Sequence, residues 1–210
     1  MYAPKHFEVT EVKVLHELIH DYPLATLVTM SANGLNANHI PIHLNAMPEP
    51  YGTLQGHVAR SNPLLDDIDR ENQSLAIFHG PNAYITPSWY ETKKEHGKVV
   101  PTWNYVVVHV YGILQVVDNP EWLRTQLETL TDQNESQFSE PWAVADAPTE
   151  FTEKLLESIV GIEMKITKLL GKWKVSQNQP VQNRDGVIQG LNANNQVGAT
   201  KMAALVKKTI

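Results

Sequence analysis

The stretch TWNYVVVHVYGILQVV, residues 102–117, carries the strongest structural signal in the chain. Successive side chains of a β-strand point to opposite faces of the sheet. One face of this stretch carries Val106, Val108 and Val110, and the other carries Val107, His109 and Tyr111. The pattern predicts one long strand from Thr102 to about Val117.

Shorter predicted strands lie on both sides of this stretch. LATLVTM (24–30) and LNANHIPIHL (35–44) flank the turn-forming cluster SANG (31–34), which indicates a β-hairpin. Proline cannot donate a hydrogen bond to a strand ladder, so we expect Pro41 at an edge or a bulge. TLQGHV (53–58), SLAIFH (74–79) and GIEMKIT (161–167) complete six strands. No long helical pattern separates the first five, which favours antiparallel pairing and a barrel over a doubly wound sheet.

Three segments carry helical patterns. The first spans residues 11–22, with apolar side chains at Val14, Leu15, Leu18, Ile19 and Tyr22. The second is DNPEWLRTQLETL (118–130), where Asn119 or Asp118 serves as the cap before a proline in the first turn. The third is marked by Phe151, Leu155, Leu156 and Ile159. We therefore predict a mainly β chain of the α+β class, with one domain whose barrel is packed by helices and a C-terminal tail that is helical.

Composition narrows the possible functions. The 210 residues contain no cysteine, which excludes disulfides, thiolate metal sites and a cysteine nucleophile. The net charge of −6 argues against a broad nucleic-acid surface, because phosphate binding depends on clustered Lys and Arg. No apolar run approaches the roughly 20 residues of a bilayer span, and the N-terminus lacks a signal-peptide pattern. We expect a cytoplasmic protein without membrane contact.

The segment GHVARSNP (56–63) concentrates polar residues at the end of a predicted strand. Asn62 before Pro63 is a typical helix start, and such a start leaves backbone N–H groups free to bind an anion. With Arg60 and His57 nearby, the segment forms a candidate phosphate cradle. The alternative interpretation is that Asn62 only caps a short helix while Arg60 pairs with Asp66 or Asp67 on the surface.

Three further clusters are candidate ligand contacts. In NHIP (38–41) the histidine and the proline edge suit contact with a ligand ring, although a histidine on a strand is more often structural and Pro41 can simply protect an edge. Trp103 beside Asn104 places a flat side chain next to an amide, which suits a heteroaromatic ring; the other aromatic residues of this region, among them Tyr84 and Trp89, are expected mostly in the core. GKWKVSQN (171–178), after the sixth strand, is either a second ligand contact or an exposed basic loop.

Several catalytic signatures are missing from the sequence. It contains no nucleophile elbow, Walker loop or GxGxxG motif. His16 and His20 are spaced i, i+4 but lack an evident third ligand, so no metal site is predicted. No residue stands out as a general base, and no catalytic residue is assigned.

Taken in order, the motifs MYAPKHF, NHIPI, GHVARSNP, GPNAYITPSWY, VPTWNY, WAVADAP, VGIEMKI and GKWKVSQN resemble the PaiB-type FMN-binding negative transcriptional regulators, from the N-terminus to about Leu191. The resemblance implies one domain over residues 1–191, followed by the tail 192–210. It also implies that this domain is an antiparallel split β-barrel related to pyridoxamine-phosphate oxidase, forming a homodimer with FMN at the subunit interface. Two positions depart from the family pattern: Asn134 stands where the family has histidine, and Gln179 where it has arginine.

The resemblance also implies roles for individual residues. It places the flavin phosphate against His57, Arg60, Ser61 and Asn62. It places the flavin ring along Asn38, His39 and Ile40. Further cofactor contacts are expected from Trp103, Asn104, Lys172, Ser176 and Gln177. Because Gln179 lacks the family's positive charge, an anion-binding role of its loop is weakened.

Two functions stay open at this point. The first is an FMN-binding regulator, as the family name implies, although no helix-turn-helix pattern is present and the negative charge makes direct DNA contact doubtful. The second is a flavin-dependent oxidoreductase or flavin reductase with only indirect regulatory effects, since FMN itself carries redox chemistry.

Overall fold

A computed structural model describes residues 1–31, 34–68, 73–194 and 197–209, without the side chains of residues 66 and 67. Its strands are β1 (Glu8–Val9), β2 (Leu24–Ser31), β3 (Gly34–Pro41), β4 (His43–Asn45), β5 (Thr53–Ala59), β6 (Ser74–Ile85), β7 (Thr102–Val117) and β8 (Ile159–Lys174). Its helices are α1 (Val12–Asp21), α2 (Leu64–Asp67), α3 (Thr92–His96), α4 (Pro120–Glu135), α5 (Thr149–Leu156), α6 (Val181–Asn192) and α7 (Ala199–Lys207).

The strands form one antiparallel sheet in the order β3-β2-β6-β7-β8-β5-β4, with β1 also paired to β8. The predicted hairpin is present as β2 and β3, in a register that pairs Ala25 with Ile40 and Thr26 with His39. Its second strand, predicted over 35–44, ends at Pro41, and β4 pairs with β5 instead. Two residues of its predicted turn, 32 and 33, lie outside the described residues. Pro41 ends β3 at the edge of the sheet, where a missing backbone donor does no harm, as predicted.

Strand β7 spans Thr102–Val117, with the bounds that its alternating pattern predicts. Every second side chain from Asn104 to Leu114 is buried, and Val108 and Val110 are fully enclosed. The observed helices α1 and α4 also match their predictions, and Asn119 is the cap of α4 because its side chain accepts the Trp122 N–H.

Three further elements differ from their predictions. β6 continues to Ile85 instead of ending near His79: every second residue is buried from Ser74 to Gly80, and after a one-residue shift at Pro81 and Asn82 the alternation resumes at Ala83 and Ile85. β8 continues to Lys174, so the first half of GKWKVSQN is strand and not loop; β1 pairs with it there. On α5 the predicted apolar face is exposed, since the helix buries Thr152 and leaves Phe151 and Leu155 in solvent.

The chain divides into two compact units. Unit 1 comprises Met1–Glu11, His79–Val108 and Leu170–Ile210, and unit 2 comprises Val12–Phe78 and His109–Leu169. Unit 2 buries Leu15, Ile19, Leu27, Leu54, Phe78, Leu114, Ile162 and Met164. Unit 1 buries Ile85, Val106, Val187, Leu191, Met202 and Val206. The tail predicted to be helical contains α7, which packs against α6 within unit 1.

Among the described residues, no helix is both long and apolar enough to cross a membrane. Within the same ranges, no three His, Asp or Glu side chains are grouped as metal ligands, and His16 instead hydrogen-bonds the Tyr51 carbonyl through Nε2 at 2.9 Å.

Helix α6 has room for Trp89 because two of its residues are glycines. A Cβ on Gly186 would lie 2.0 Å from the Trp89 carbonyl oxygen, and a Cβ on Gly190 would lie 2.3 Å from the Trp89 ring. Neither distance can exist in a real structure, so a side chain at either position forces the tryptophan or the helix to move.

We expect Gly190→Ala to lower the free energy of unfolding by about 1–2 kcal/mol, since overpacking outweighs the better helix propensity of alanine. Chemical denaturation measures the effect. Gln189→Ala, on an exposed position of the same helix, is the control and should change stability by less than about 0.5 kcal/mol. Equal stability of Gly190→Ala and the natural protein would show that Trp89 is not held against the helix.

Candidate functional site

The twelve residues predicted to contact a cofactor fall into two groups, one in each unit. The strand-end group, in unit 2, consists of Asn38, His39, Ile40, His57, Arg60, Ser61 and Asn62. The lysine–amide group, in unit 1, consists of Trp103, Asn104, Lys172, Ser176 and Gln177. Each group is described by itself.

Arg60, directly after β5, uses most of its guanidinium donors within the protein. Nη1 and Nη2 donate to the two carboxylate oxygens of Asp118 at 3.1 and 2.8 Å. Nε donates to the Glu157 carbonyl and Nη2 also to the Ile159 carbonyl, both at 3.2 Å. Arg60 thus makes the surface ion pair of the alternative interpretation, but with Asp118; the side chains of Asp66 and Asp67 lie outside the described residues.

The Arg60–Asp118 pair changes the acidity of both groups. The hydrogen bond to Asp118 raises the pKa of Arg60, and the same bond lowers the pKa of Asp118; their opposite charges act in the same directions and desolvation opposes them. The side chains are 47% and 64% exposed, so solvent screens the attraction and either partner can be exchanged for another ion.

Asn62 connects the start of α2 to strand β3. Its Oδ1 accepts the Leu64 N–H at 2.9 Å and its carbonyl accepts the Leu65 N–H at 3.1 Å. The prediction that the start of this helix leaves N–H groups free is therefore wrong for Leu64 and Leu65, because Asn62 accepts hydrogen bonds from both, as a helix cap does. Its Nδ2 donates to Asn38 Oδ1 at 3.1 Å, which brings two predicted site residues into contact.

Of the three predicted residues of β3, Asn38 and Ile40 lie on one face of the strand and His39 lies on the other. Ile40 is buried in the core of unit 2, whereas His39 is exposed and lies 3.1 Å through Nδ1 from the Thr26 hydroxyl across the hairpin. The Asn38 Nδ2 is a buried donor without a hydrogen-bond partner among the described residues. A buried amide in this state is uncommon and suits a position where a ligand supplies the missing acceptor.

His57 faces helix α4. Its Nδ1 lies 3.0 Å from the Gln126 Oε1, and Gln126 is 2% exposed with a buried Nε2 that has no partner among the described residues. The sequence analysis did not single out Gln126, because it stands 69 positions from His57 and occupies an ordinary place in a helical pattern. His57 and Arg60, predicted to share one phosphate, therefore hold different internal partners.

In unit 1, Asn104 and Ser176 form a buried polar pair. Asn104 Nδ2 donates to Ser176 Oγ at 2.8 Å, and the two residues are 1% and 3% exposed. Asn104 Oδ1 is a buried acceptor without a described partner. Ser176 has φ 63°, a left-handed conformation that serine rarely adopts and that is most often found at functional positions.

Trp103 and Asn104 cannot lie side by side against one ring, because they are successive residues of β7. Asn104 points into the core, whereas Trp103 is 54% exposed and makes an edge contact with Tyr84 at 5.9 Å between ring centroids. Tyr84 is exposed as well, although it was among the aromatic residues expected mostly in the core.

Lys172 is the buried cation of unit 1. Its Nζ donates to the Tyr2 carbonyl at 3.1 Å and lies over the rings of Tyr105 and Tyr2, at 5.2 and 5.7 Å from their centroids. Gln177 has a local role: its Oε1 accepts the Val175 N–H at 2.8 Å and its Nε2 donates to the Trp173 carbonyl at 2.6 Å, which shapes the turn after β8.

Comparison with known proteins assigns the chain to a family. The family model described as "Putative FMN-binding domain" matches residues 1–168. The protease synthase and sporulation protein PAI 2 of Bacillus subtilis is 30% identical over 207 residues, which cover 99% of this chain and 97% of that protein. The chain belongs to the PaiB-type FMN-binding family. An uncharacterized protein of Emericella nidulans is also similar, at 35% identity over 226 residues and 90% of each chain.

Solved structures agree with the fold expected for this family. The FAD- and haem-binding protein of Mycobacterium smegmatis superposes with a TM-score of 0.58 at 17% identity, over 80% of this chain and 73% of that chain. The fold class predicted from the sequence, an α+β protein with an antiparallel split β-barrel, is confirmed.

The unpartnered amide atoms fit the chemistry of a flavin. A flavin ring carries carbonyl oxygens and ring nitrogens that accept hydrogen bonds, and one N–H that donates. In unit 2 the Asn38 Nδ2 offers a donor, and in unit 1 the Asn104 Oδ1 offers an acceptor. Arg60 and Lys172 are the cations of the two groups that suit a phosphate.

Replacement of Arg60 should raise the pKa of Asp118 to its ordinary value, because the hydrogen bond that lowers it is lost. In the natural protein we expect an Asp118 pKa below about 3.9, the ordinary value, and in Arg60→Ala a return to it. A carboxyl with a lowered pKa adds stability that is present above its unfolded-state pKa and lost as the pH falls through its folded pKa. Carboxyl NMR titration measures both values. An unchanged Asp118 pKa in Arg60→Ala would show that the pair does not form in solution.

Proposed function

We propose that this protein binds FMN as a homodimer and acts as a PaiB-type negative regulator, with the flavin held at the dimer interface. The observation that carries the proposal is the family match over residues 1–168, a range that includes the Gly56–Pro63 segment and the β3 edge. The similarity to PAI 2 over nearly the whole chain supports the same assignment.

The phosphate is proposed to bind at Arg60, Ser61 and Asn62, with His57 contributing from β5. Ser61 and the Arg60 guanidinium are exposed to solvent, so an anion can reach them. Binding requires Arg60 to leave Asp118, and a phosphate dianion carries more charge than one carboxylate. Exposed ion pairs contribute little to stability because water and salt screen them, so this exchange costs little.

Acidic neighbours weaken the binding of an anion at Arg60. A cleft of about 610 Å³ is lined by Arg60 and Arg124 together with the carboxylates of Asp118, Glu121, Glu153 and Glu157. Asp118 is the strongest competitor, because it holds the guanidinium through two hydrogen bonds. Removal of its charge should therefore favour phosphate.

The flavin ring is proposed to lie along Asn38, His39 and Ile40. The unsatisfied Asn38 Nδ2 supports this role, and the Asn38–Asn62 hydrogen bond connects it to the phosphate segment. Trp103, Asn104, Lys172, Ser176 and Gln177 are proposed as further flavin contacts of unit 1, supported by the free Asn104 Oδ1 and the strained Ser176. Bound FMN would supply hydride or electron transfer, and these residues would hold and orient it.

Flavin-dependent oxidoreduction is the second candidate function. The observation that favours it is the charge: a chain with a net charge of −6 is poorly suited to direct contact with DNA, so a regulatory effect would act through flavin chemistry or a partner protein. In both functions the cofactor is the same, and the bound flavin is the first property to test.

Arg60→Ala should weaken FMN binding by about 1.5–3 kcal/mol, or roughly 10- to 150-fold in Kd, and leave riboflavin unaffected, since only FMN has the phosphate. Asp118→Asn should tighten FMN binding, because it frees Arg60. Fluorescence titration of the natural apoprotein and of both variants with FMN and with riboflavin measures the dissociation constants.

Lys94→Ala is the matched control for this experiment. It breaks another exposed ion pair, Lys94–Glu91 at 2.7 Å, and should change neither constant. An equal loss of FMN and riboflavin in Arg60→Ala would indicate a folding defect. No loss of either ligand would remove Arg60 from the proposed site.

A further inference from the structure

The negative charge of this protein is concentrated in one segment. Residues 132–157 contain one basic residue, Lys154, and seven acidic ones, Asp132, Glu135, Glu140, Asp146, Glu150, Glu153 and Glu157. The net charge of this segment is −6, equal to that of the whole chain, so acidic and basic residues balance in the rest. The segment runs from the end of α4 through α5 and belongs to unit 2.

The same segment exposes large apolar side chains. Phe138, Trp142, Phe151 and Leu155 are 57%, 48%, 57% and 49% exposed. Phe151 and Leu155 are four residues apart on α5 and therefore share one face of the helix. Exposed apolar side chains grouped within a charged surface are typical of a binding surface for another protein.

The carboxylates along α5 and at its C-terminal end form no ion pair within the described ranges, although Arg60 and Arg124 line the same cleft as Glu153 and Glu157. No ion pair there involves Glu150, Glu153 or Glu157. Glu153 and Glu157 are also four residues apart, so α5 presents a row of acidic side chains beside its row of apolar ones. A partner that fits both rows must carry positive charge on aliphatic or aromatic side chains.

Helix α7 of this chain has that chemistry. Residues 197–210 contain Lys201, Lys207 and Lys208 and no acidic residue. The apolar face of α7 is buried in unit 1 through Met202, Ala203 and Val206, so Lys207 and Lys208 are exposed. Lysine side chains cover apolar surface with their methylene groups while the ammonium reaches a carboxylate or the face of an aromatic ring.

We propose that α5 of one protomer packs against α7 of its partner, so that the homodimer contains two identical contacts of this kind. Contact of α5 with a second α5, or of α7 with a second α7, would bring like charges together. In a dimer with two-fold symmetry, α5 of each protomer can contact α7 of the other, so both copies of each helix have a partner of opposite charge. The inference rests on the proposed homodimer and does not depend on FMN binding.

The experiment uses charge reversal on the full chain. Glu153→Lys with Glu157→Lys gives α5 a positive row, and Lys207→Glu with Lys208→Glu gives α7 a negative one. Each double variant brings like charges together and should weaken the dimer by at least about tenfold, as measured by light scattering across protein concentrations. Lys93→Glu with Lys94→Glu, on the exposed face of α3, is the matched control and should leave the dimer unchanged.

Mixing the two reversed variants is the decisive step. In a heterodimer of the two, each α5 again faces an α7 of opposite charge, so a dimer should reappear. Circular dichroism of each variant shows that it is folded.

Each other outcome overturns the inference. If the natural protein is a monomer, both the α5–α7 contact and the proposed homodimer are wrong, while the flavin titrations still decide whether the chain binds FMN. A dimer that is unaffected by either reversal would keep the homodimer and place its interface elsewhere. Two monomeric variants that do not combine would also exclude the α5–α7 contact.

Discussion

The Arg60 guanidinium can satisfy one carboxylate or phosphate at a time, and this constraint connects the fold of unit 2 to its proposed chemistry. From its position directly after β5, Arg60 binds two other segments of the chain. It pairs with Asp118 at the end of β7, and it donates to the Glu157 and Ile159 carbonyls at the start of β8. An anionic ligand at Arg60 competes with Asp118 for Nη1 and Nη2, whereas the Glu157 carbonyl accepts from Nε and the Ile159 carbonyl accepts a second bond from Nη2. Ligand binding and local structure are therefore linked through one exchangeable pair.

Alternation along the strands determined how much of the fold could be predicted. The alternating pattern of β7 is local, and it predicts both ends of the strand correctly. The extension of β8 depends on its pairing with β1, whose residues stand more than 160 positions away, and nothing local in GKWK indicates that contact. The predicted orientation of α5 is wrong because the buried face of a helix also depends on tertiary packing. Phe151 and Leu155 have the spacing of a core face, but the helix lies with Thr152 inward.

The site was predictable as a set of residues and not as a set of contacts. The motifs around Arg60 and Asn104 identified polar positions that do show unusual features, such as the unpartnered amides of Asn38 and Asn104. Their partners are distant in sequence: Asp118 lies 58 positions from Arg60 and Gln126 lies 69 positions from His57. Such pairs arise from tertiary packing, which neither spacing nor composition contains.

The central claim is that FMN takes Arg60 from Asp118, and the Asp118 pKa in the presence of each flavin tests it most directly. With saturating FMN, carboxyl NMR titration should show the Asp118 pKa rising from its lowered value, because the carboxylate has lost its cationic partner and gained a phosphate neighbour. Riboflavin, which lacks the phosphate, should leave it lowered. An Asp118 pKa that stays the same at saturating FMN would contradict the account.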